Sequence, residues 1–477
     1  MIWNIGLTKG NKPKLMLFLG ILLSAMLLPS FPTIGNLPRI RLDEILLFGA
    51  FGINMLVLLS RGFKFNPDDL AAYRNRQGPA MRAVNRVFLI LTGCIIISNI
   101  YAAIFLQGSF SFRDLMEFVT IAKYYLVIAL VVALDIGVAE YKLIGKVFLA
   151  GLAVLMLLSW GQFLNPGNMN AWLTPFFAPS HLDNLVNANP PRVLGTFDNP
   201  NVMGIFSVFT LCLVTSWYYF RTNGRQSAVL LLVLAGLTIK MTFLTISRTA
   251  LLGTAAVLCW LSLWALFRFR WNKGILIKVG LLFVLTILIF VTSPRDFTAR
   301  INEATNVDKS TSAIGHLERW GSAWPAIEQS PVLGWGTAKN SMTTLVDDEY
   351  MLVTRRYGFV GLLAYLWLFL RPAWSAWRRA RRAGSAANGA ASGEDRDISR
   401  RAAGAGANAF PTPDSDFRDP ASGFRPPVSV LLAYAFTAAT VAVFIYDVTA
   451  GIFYNLQLMT LYAIFMGLIY RSERETV

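Results

Sequence analysis

Apolar runs long enough to cross a bilayer recur along this chain from its first tens of residues to its last. A hydrocarbon core about 30 Å thick takes roughly 20 apolar residues per helix. In that solvent a spanning segment must satisfy its own backbone polar groups, which leaves helices or closed barrels. The runs fall at 15–32, 42–60, 84–106, 114–134, 143–163, 200–220, 228–246, 249–267, 275–293, 350–370, 428–447 and 450–470. They predict an all-α, polytopic membrane protein of about twelve transmembrane helices. The first run, Leu15 to Leu28, has the length of a signal peptide, but no small-x-small cleavage site follows it, so it is expected to be retained.

Only 15% of residues are charged, against about 25% in a soluble domain. The formal charge of +16 does not gather on a face that would suit nucleic acid; it sits in short loops between apolar runs. The loop at 61–83 holds Arg61, Lys64, Arg74, Arg76 and Arg82, and segment 371–427 carries a longer series from Arg371 to Arg425. Loops 33–41, 107–113, 164–199 and 294–349 are sparser in Lys and Arg for their length. Basic bias marks the cytoplasmic side, so both termini of this multi-pass protein are expected there.

The stretch 228–267 tests that topology. As one helix it would run about 60 Å, twice the hydrocarbon thickness. It would also place the Arg-rich 371–427 segment outside, against the charge rule. Two spans meeting near Thr245-Ile246-Ser247-Arg248 are therefore expected. Residues 1–370 then form a transmembrane core with outer loops 164–199 and 294–349. Segment 371–427 reads as a basic, disordered cytoplasmic insertion, because 384–427 is rich in Ala, Gly, Ser, Pro and Asp. Residues 428–477 supply the last two spans and a tail.

Cys94, Cys212 and Cys259 all lie inside apolar runs and form no C-x-x-C pair. With only two histidines, His181 and His316, a multi-histidine metal centre is not expected. The chemistry is sought instead in charges on the side where basic residues are disfavoured. Arg192 precedes the sixth span, Arg248 stands at the turn between the seventh and eighth, and Arg319 lies in the large outer loop. Each is either a solvated loop residue or part of an anion site. Arg248 resists the first alternative best, since apolar spans flank it on both sides. A guanidinium presents a planar fork that matches phosphate oxygens, and the diphosphate head of a lipid is a candidate at that depth. Nucleotide sugars stay in the cytoplasm, so sugar transfer outside needs a donor that carries its own leaving group.

Asp347-Asp348-Glu349-Tyr350 leads into the tenth span. These carboxylates are either a helix N-terminus favoured by its dipole or a base set for proton removal from a sugar hydroxyl. Lys123 and Lys240 sit within spans, where a structural ion pair serves as well as a site. Trp320, Trp335 and Tyr350 suit stacking on sugar rings or an interfacial aromatic belt. Asn199 and Asn201 flank Pro200 at a turn and helix start, with a polar contact to substrate as the other option.

Taken in order, Arg192-Val193-Leu194-Gly195-Thr196-Phe197-Asp198-Asn199-Pro200-Asn201, Ser247-Arg248-Thr249-Ala250, Glu318-Arg319-Trp320 with Pro331-Val332-Leu333-Gly334-Trp335-Gly336, and Asp347-Asp348-Glu349-Tyr350 with Tyr357-Gly358-Phe359-Val360-Gly361-Leu362 resemble the O-antigen ligase and polymerase superfamily. The resemblance covers about 190–370 well and the N-terminal half mainly by span pattern. It implies a GT-C-like helical fold, an undecaprenyl diphosphate-linked glycan donor, and neither cofactor nor metal. It implies that Arg192, Arg248 and Arg319 hold the diphosphate. Ligases of this family show a histidine followed by Asn where this chain has Asp347-Asp348-Glu349-Tyr350. That departure favours polymerisation, with Asp347, Asp348 or Glu349 as base and a lipid-linked repeat unit as acceptor. The expected product is a surface or exopolysaccharide. Delivery of the glycan to lipid A-core or protein is the alternative enzyme, and a lipid-linked oligosaccharide transporter the alternative class. Membrane lipid is an expected partner, nucleic acid is not expected, and a chain-length regulator acting on 371–427 is left open.

Overall fold

The apolar stretch 228–267 breaks where its length and charge pattern predict. Ile246 takes φ 51°, a left-handed backbone that β-branched residues rarely adopt. Ser247 then caps the next helix, its Oγ accepting the Ala250 N–H at 3.3 Å.

The structure is a computed structural model that describes residues 2–4, 6–31, 40–62, 78–108, 110–177, 185–186, 191–220, 225–269, 271–293, 311–339, 346, 348–404 and 426–472. Its helices are α1 (Asn11–Leu27), α2 (Leu42–Ser60), α3 (Gly78–Phe105), α4 (Phe112–Ala133), α5 (Val138–Leu164), α6 (Met169–Leu173), α7 (Pro200–Phe220), α8 (Arg225–Leu244), α9 (Arg248–Arg268), α10 (Lys273–Val291), α11 (Thr311–Gln329), α12 (Glu349–Gly404), α13 (Val428–Asp447) and α14 (Leu456–Ser472). No strand occurs among the described residues. Of these helices, 10 are long and apolar enough to cross a membrane. α1 and α14, at 17 residues each, fall where the first and last of the twelve runs were expected and stand at the short end of the spanning range. The chain is an all-helical polytopic membrane protein.

Burial sorts centre from rim. The α7 span is 89% buried and the α13 span 78%, whereas α10 is 11% buried and turns its leucines and isoleucines outward. Lipid, as apolar as a core, accepts that outer surface. α7, α13 and α14 pack around buried aromatic rings, among them Phe209 against Tyr462 at 5.5 Å and Phe436 against Tyr462 at 5.2 Å.

α12 is not one straight rod. Gly358 has φ 64° and ψ −172°, which opens the helix and frees two N–H groups. Phe359 N donates to Pro331 O at 2.8 Å and Val360 N to Val332 O at 3.3 Å. In return Trp335 N donates to Arg355 O at 3.1 Å. The 331–336 stretch is thereby laid along the kink, so closely that a Cβ on Gly358 would overlap the Val332 carbonyl. Only glycine fits there, which gives the Tyr357-Gly358-Phe359 and Pro331–Gly336 motifs a shared structural reason. Beyond the membrane, α12 runs on to Gly404. The first half of the segment expected to be disordered is thus helical, consistent with its many alanines and arginines; residues 405–425 lie outside the described ones.

Candidate functional site

The segment before α7 is threaded between helix ends. Thr196 Oγ1 donates to Met26 O at 2.7 Å, beyond which Ser30 Oγ donates to Asp198 Oδ1 at 3.2 Å. Gln162, at the end of α5, accepts Gly195 N–H at 2.7 Å and donates to Gly195 O at 2.7 Å. Val193 N donates to Leu244 O at 3.1 Å, holding the segment against the end of α8. Asn199 closes the turn by accepting Asn201 N–H at 2.8 Å.

That threading delivers Arg192 to the turn that carries Arg248. Arg192 Nε donates to Thr245 O at 3.1 Å and Nη2 to Asn201 Oδ1 at 3.2 Å, with Ile246 O at 3.5 Å. A guanidinium on these carbonyls supports a turn that strains Ile246 by about 1–2 kcal/mol. Two residues later Arg248 opens α9, half-buried. Sequence placed 192 and 248 far apart; the fold places them at one helix junction.

A second polar group lies one hydrogen bond away. Thr249 Oγ1 meets Thr449 Oγ1 at 2.7 Å, and Thr449 begins the 448–455 loop between α13 and α14. In that loop Gly451 rests on the Glu349 carboxylate so closely that any Cβ would collide with it. Glu349 is 0% exposed, and neither of its carboxylate oxygens has a hydrogen-bond partner among the described residues. Asp447, also 0% exposed, accepts Tyr365 OH at 2.9 Å and Ile452 N–H at 3.1 Å. Glu349 and Asp447 lie close enough to repel. Buried, unpaired carboxylates cost several kcal/mol, and ionisable groups at membrane depth are a mark of function.

Asp348 behaves differently. It is buried and caps α12, its Oδ1 accepting Met351 N–H at 2.7 Å. Burial raises its pKa above the ordinary aspartate value, opposed by the backbone N–H groups of Met351 and Tyr350. Asp347 lies outside the described residues. Among those described, no three His, Cys, Asp or Glu side chains converge in a way that could hold a metal ion.

The remaining candidates have partners within the chain. Tyr350 OH donates to Phe444 O at 2.9 Å, joining α12 to α13. Trp335 Nε1 donates to Ala326 O at 2.9 Å, fastening α11 to the kink. Arg319 is exposed on α11. On the same helix Trp320 Nε1 and His316 Nδ1 are buried without a partner among the described residues. Burial, and secondarily Arg319, lowers the His316 pKa. Lys123 is a structural ion pair, 2.9 Å from Asp43 and 3.0 Å from Glu44, and Lys240 Nζ lies 3.5 Å from Ser293 Oγ.

Sequence reasoning passed over Asp447, Glu117 and Arg356. Glu117, 0% exposed on α4, accepts Tyr357 OH at 2.9 Å and Tyr454 OH at 2.5 Å. Both acids were legible as carboxylates in apolar runs, the same kind of signal that drew attention to Lys123.

Fold and site define a polytopic helical membrane protein with buried acids and clustered arginines at one end of its bundle. Residues 230–358 match the family model described as O-antigen ligase. The matched stretch is similar to the O-antigen ligase and polymerase superfamily, whose members are membrane glycosyltransferase-like enzymes. It contains Arg248, Arg319, Asp348, Glu349 and the Gly358 kink. No curated protein matches the chain.

Proposed function

We propose that this protein is a polysaccharide polymerase. It moves a glycan from undecaprenyl diphosphate onto a sugar hydroxyl of a fresh lipid-linked repeat unit, at the outer face of the bacterial inner membrane, with both termini cytoplasmic. One observation carries this most: Arg192 lies on the Arg248 turn, which is one threonine–threonine hydrogen bond from the loop that covers Glu349.

In the proposed step the acceptor hydroxyl oxygen bonds to the anomeric carbon as the bond from that carbon to the diphosphate oxygen breaks, inverting the centre. The electron pair leaves with undecaprenyl diphosphate, whose charge Arg192, Arg248 and Arg319 stabilise. The hydroxyl proton passes to a carboxylate of the Asp347, Asp348 and Glu349 set. Glu349 suits that role best, because Asp348 already caps a helix while Glu349 has no donor on either oxygen among the described residues. No metal enters this scheme.

The family description favours a second reading, a ligase that delivers the finished glycan to lipid A-core or protein. Purified protein given synthetic undecaprenyl diphosphate repeat units separates the two. Ladders of polymer are expected; transfer only to an added lipid or protein acceptor replaces the polymerase by the ligase.

A further inference from the structure

α11 is long enough to cross a bilayer but not apolar enough, and its surface is divided lengthwise. One side, with Ala323 and Ile327, is buried against the protein. A second, with Glu318, Arg319, Ser322 and Gln329, is polar and exposed. Between them Ile314, Leu317, Gly321 and Trp324 follow at steps of three, four and three residues, which aligns them along one face. That face is apolar and open: Leu317 is 54% exposed and Trp324 50%. Trp324 Nε1, the one polar side-chain atom of the row, donates to Glu328 Oε1 at 2.6 Å.

The kink in α12 fixes where this row lies. No residue of α12 from Glu349 to Gly358 is exposed. Immediately beyond, Phe359, Leu363, Trp367 and Leu370 are all exposed along one side of a membrane span. The lipid-facing surface of α12 therefore begins at the kink. Val332, 58% exposed, sits at that margin, because its carbonyl accepts the Val360 N–H. α11 ends just before it, at Gln329, and Ser330 Oγ closes the turn by donating to Gly334 O at 3.0 Å. Ala326, on the side of α11 away from the apolar row, is tied to the kink through Trp335. The stretch after α11 ends on a firm anchor. Lys339 N donates to Asp114 Oδ1 at 3.0 Å, and Glu117 lies 3.0 Å from Lys339 Nζ and 3.9 Å from Arg356 Nη1. α11 is thus held with its apolar row turned outward, beside the level where lipid contact starts.

Water is a poor neighbour for that row, since fully covering a large apolar side chain gains roughly 1.5–3 kcal/mol. A second copy of the chain would need about 800 Å² on each partner for a stable interface, more than a few side chains in a narrow row supply. A bilayer suits all three sides of the helix. The row continues the lipid-facing surface of α12, and the polar side stays wet. An indole whose N–H meets a carboxylate matches the boundary between acyl chains and headgroups.

We propose that α11 lies on the bilayer at the Glu349 end of the bundle, as an interfacial helix with Ile314, Leu317 and Trp324 seated between the headgroups and the first acyl carbons. Part of the large loop is then a membrane-surface element. Arg319, on the edge between the buried and the water-facing sides, is held at the height of the lipid phosphates. The pose stands on α11 and α12 alone; only the use of Arg319 for a diphosphate rests on the polymerase reading above.

The test places a nitroxide label on the full-length protein in nanodiscs of phosphatidylethanolamine and phosphatidylglycerol. Cys94→Ala and Cys259→Ala leave the buried Cys212 as the one native thiol. The label is attached at Leu317→Cys, Ser322→Cys or Leu363→Cys, and its collisions with oxygen and with a water-soluble nickel chelate are compared. The Leu317 label should favour oxygen severalfold, as the Leu363 label does within its span, and should stand about 5–10 Å into the boundary of headgroups and acyl chains. The Ser322 label should favour the chelate. A Leu317 label that behaves like the Ser322 label would put the row in water, and one shielded from both reagents would put protein over it; either result overturns the proposal. Trp324→Cys gives the same reading should Leu317→Cys fail to fold. No substrate is present, so the outcome is independent of whether the protein polymerises, and absent ladders would leave the pose standing.

Discussion

The two ends of the bundle use charge in opposite ways. Where the start of α1 and the end of α14 meet the end of α4, cations meet backbone: Lys14 Nζ donates to Ala133 O at 3.0 Å, Arg471 Nε to Leu134 O at 3.0 Å and Arg471 Nη2 to Ile136 O at 2.8 Å. These bonds satisfy carbonyls that the end of α4 leaves open. At the other end Glu349 is buried with no hydrogen-bond donor on either oxygen among the described residues, and Glu117 is shared by two cations. One end spends its charges on closing helices; the other also leaves an acid buried with no donor among the described residues. A charge set that stabilises is expected to look like the first, and one that binds and reacts like the second.

The sharpest way to break the comparison is to remove one arginine from each end. Arg248→Ala should lower the initial rate of ladder formation by on the order of 10²–10³, as loss of a transition-state charge contact does, with membrane insertion intact. Arg471→Ala should instead lower the melting temperature, by the loss of hydrogen bonds from a charged group at about 1.5–3 kcal/mol each before relaxation. Its rate per folded molecule should hold. Equal rate losses in the two variants would erase the distinction between the ends.

Next in size is the contact that buries Glu349. Gly451→Ala pushes a methyl into the Glu349 carboxylate and should destabilise by about 1–3 kcal/mol, as overpacking does. The double variant Gly451→Ala with Glu349→Ala should recover most of that stability, because the two changes share one space. Gly467→Ala gives the control: its methyl would meet Val131, and Glu349→Ala should not relieve it. Additive melting shifts for Gly451 and Glu349 would mean that the loop does not depend on the acid beneath it.

Much of the fold was legible because membrane spans are written as composition, and the break at Ile246 followed from length and charge alone. The arginine junction was half legible. Arg192 and Arg248 were distinguishable as cations against the charge rule, but their meeting depends on Gln162, Thr196 and Val193 threading the segment past three helix ends. No period in the sequence encodes such contacts. The three consecutive acids looked alike in sequence; only packing separates the Asp348 cap from the buried Glu349. Asp447 escaped notice because its partner residues lie on α12 and in the following turn.

The separation of Asp348 from Glu349 can be tested by pH. Burial raises the Asp348 pKa, so the folded protein holds that proton more tightly than the unfolded chain does. The stability from this group is full below the unfolded pKa and declines as pH rises through the folded value. Asp348→Asn should flatten that slope in melting temperature measured between pH 4 and pH 6, a window of about two units above the usual aspartate pKa. A cap should also survive the change, since Asn caps about as well as Asp. Ladder formation that persists in Asp348→Asn with a flattened slope assigns Asp348 to structure; abolished transfer would move the base from Glu349 to Asp348.

The smallest effect is expected at Arg319. Its helix faces the protein with Ala323 and Ile327, which are 0% and 2% exposed, and Arg319 stands on the exposed flank of that face. An exposed cation acts through water and salt, which screen it beyond about 8–10 Å. Arg319→Ala should therefore raise the donor KM only severalfold at about 0.15 M salt and by more at low ionic strength, whereas Arg248→Ala should act at both. The same substitution removes one of the two influences that lower the His316 pKa, so His316 should titrate at higher pH in the variant. A salt-independent loss as deep as that of Arg248→Ala would show that α11 moves over the site in the working protein, bringing Arg319 out of solvent and onto the same diphosphate.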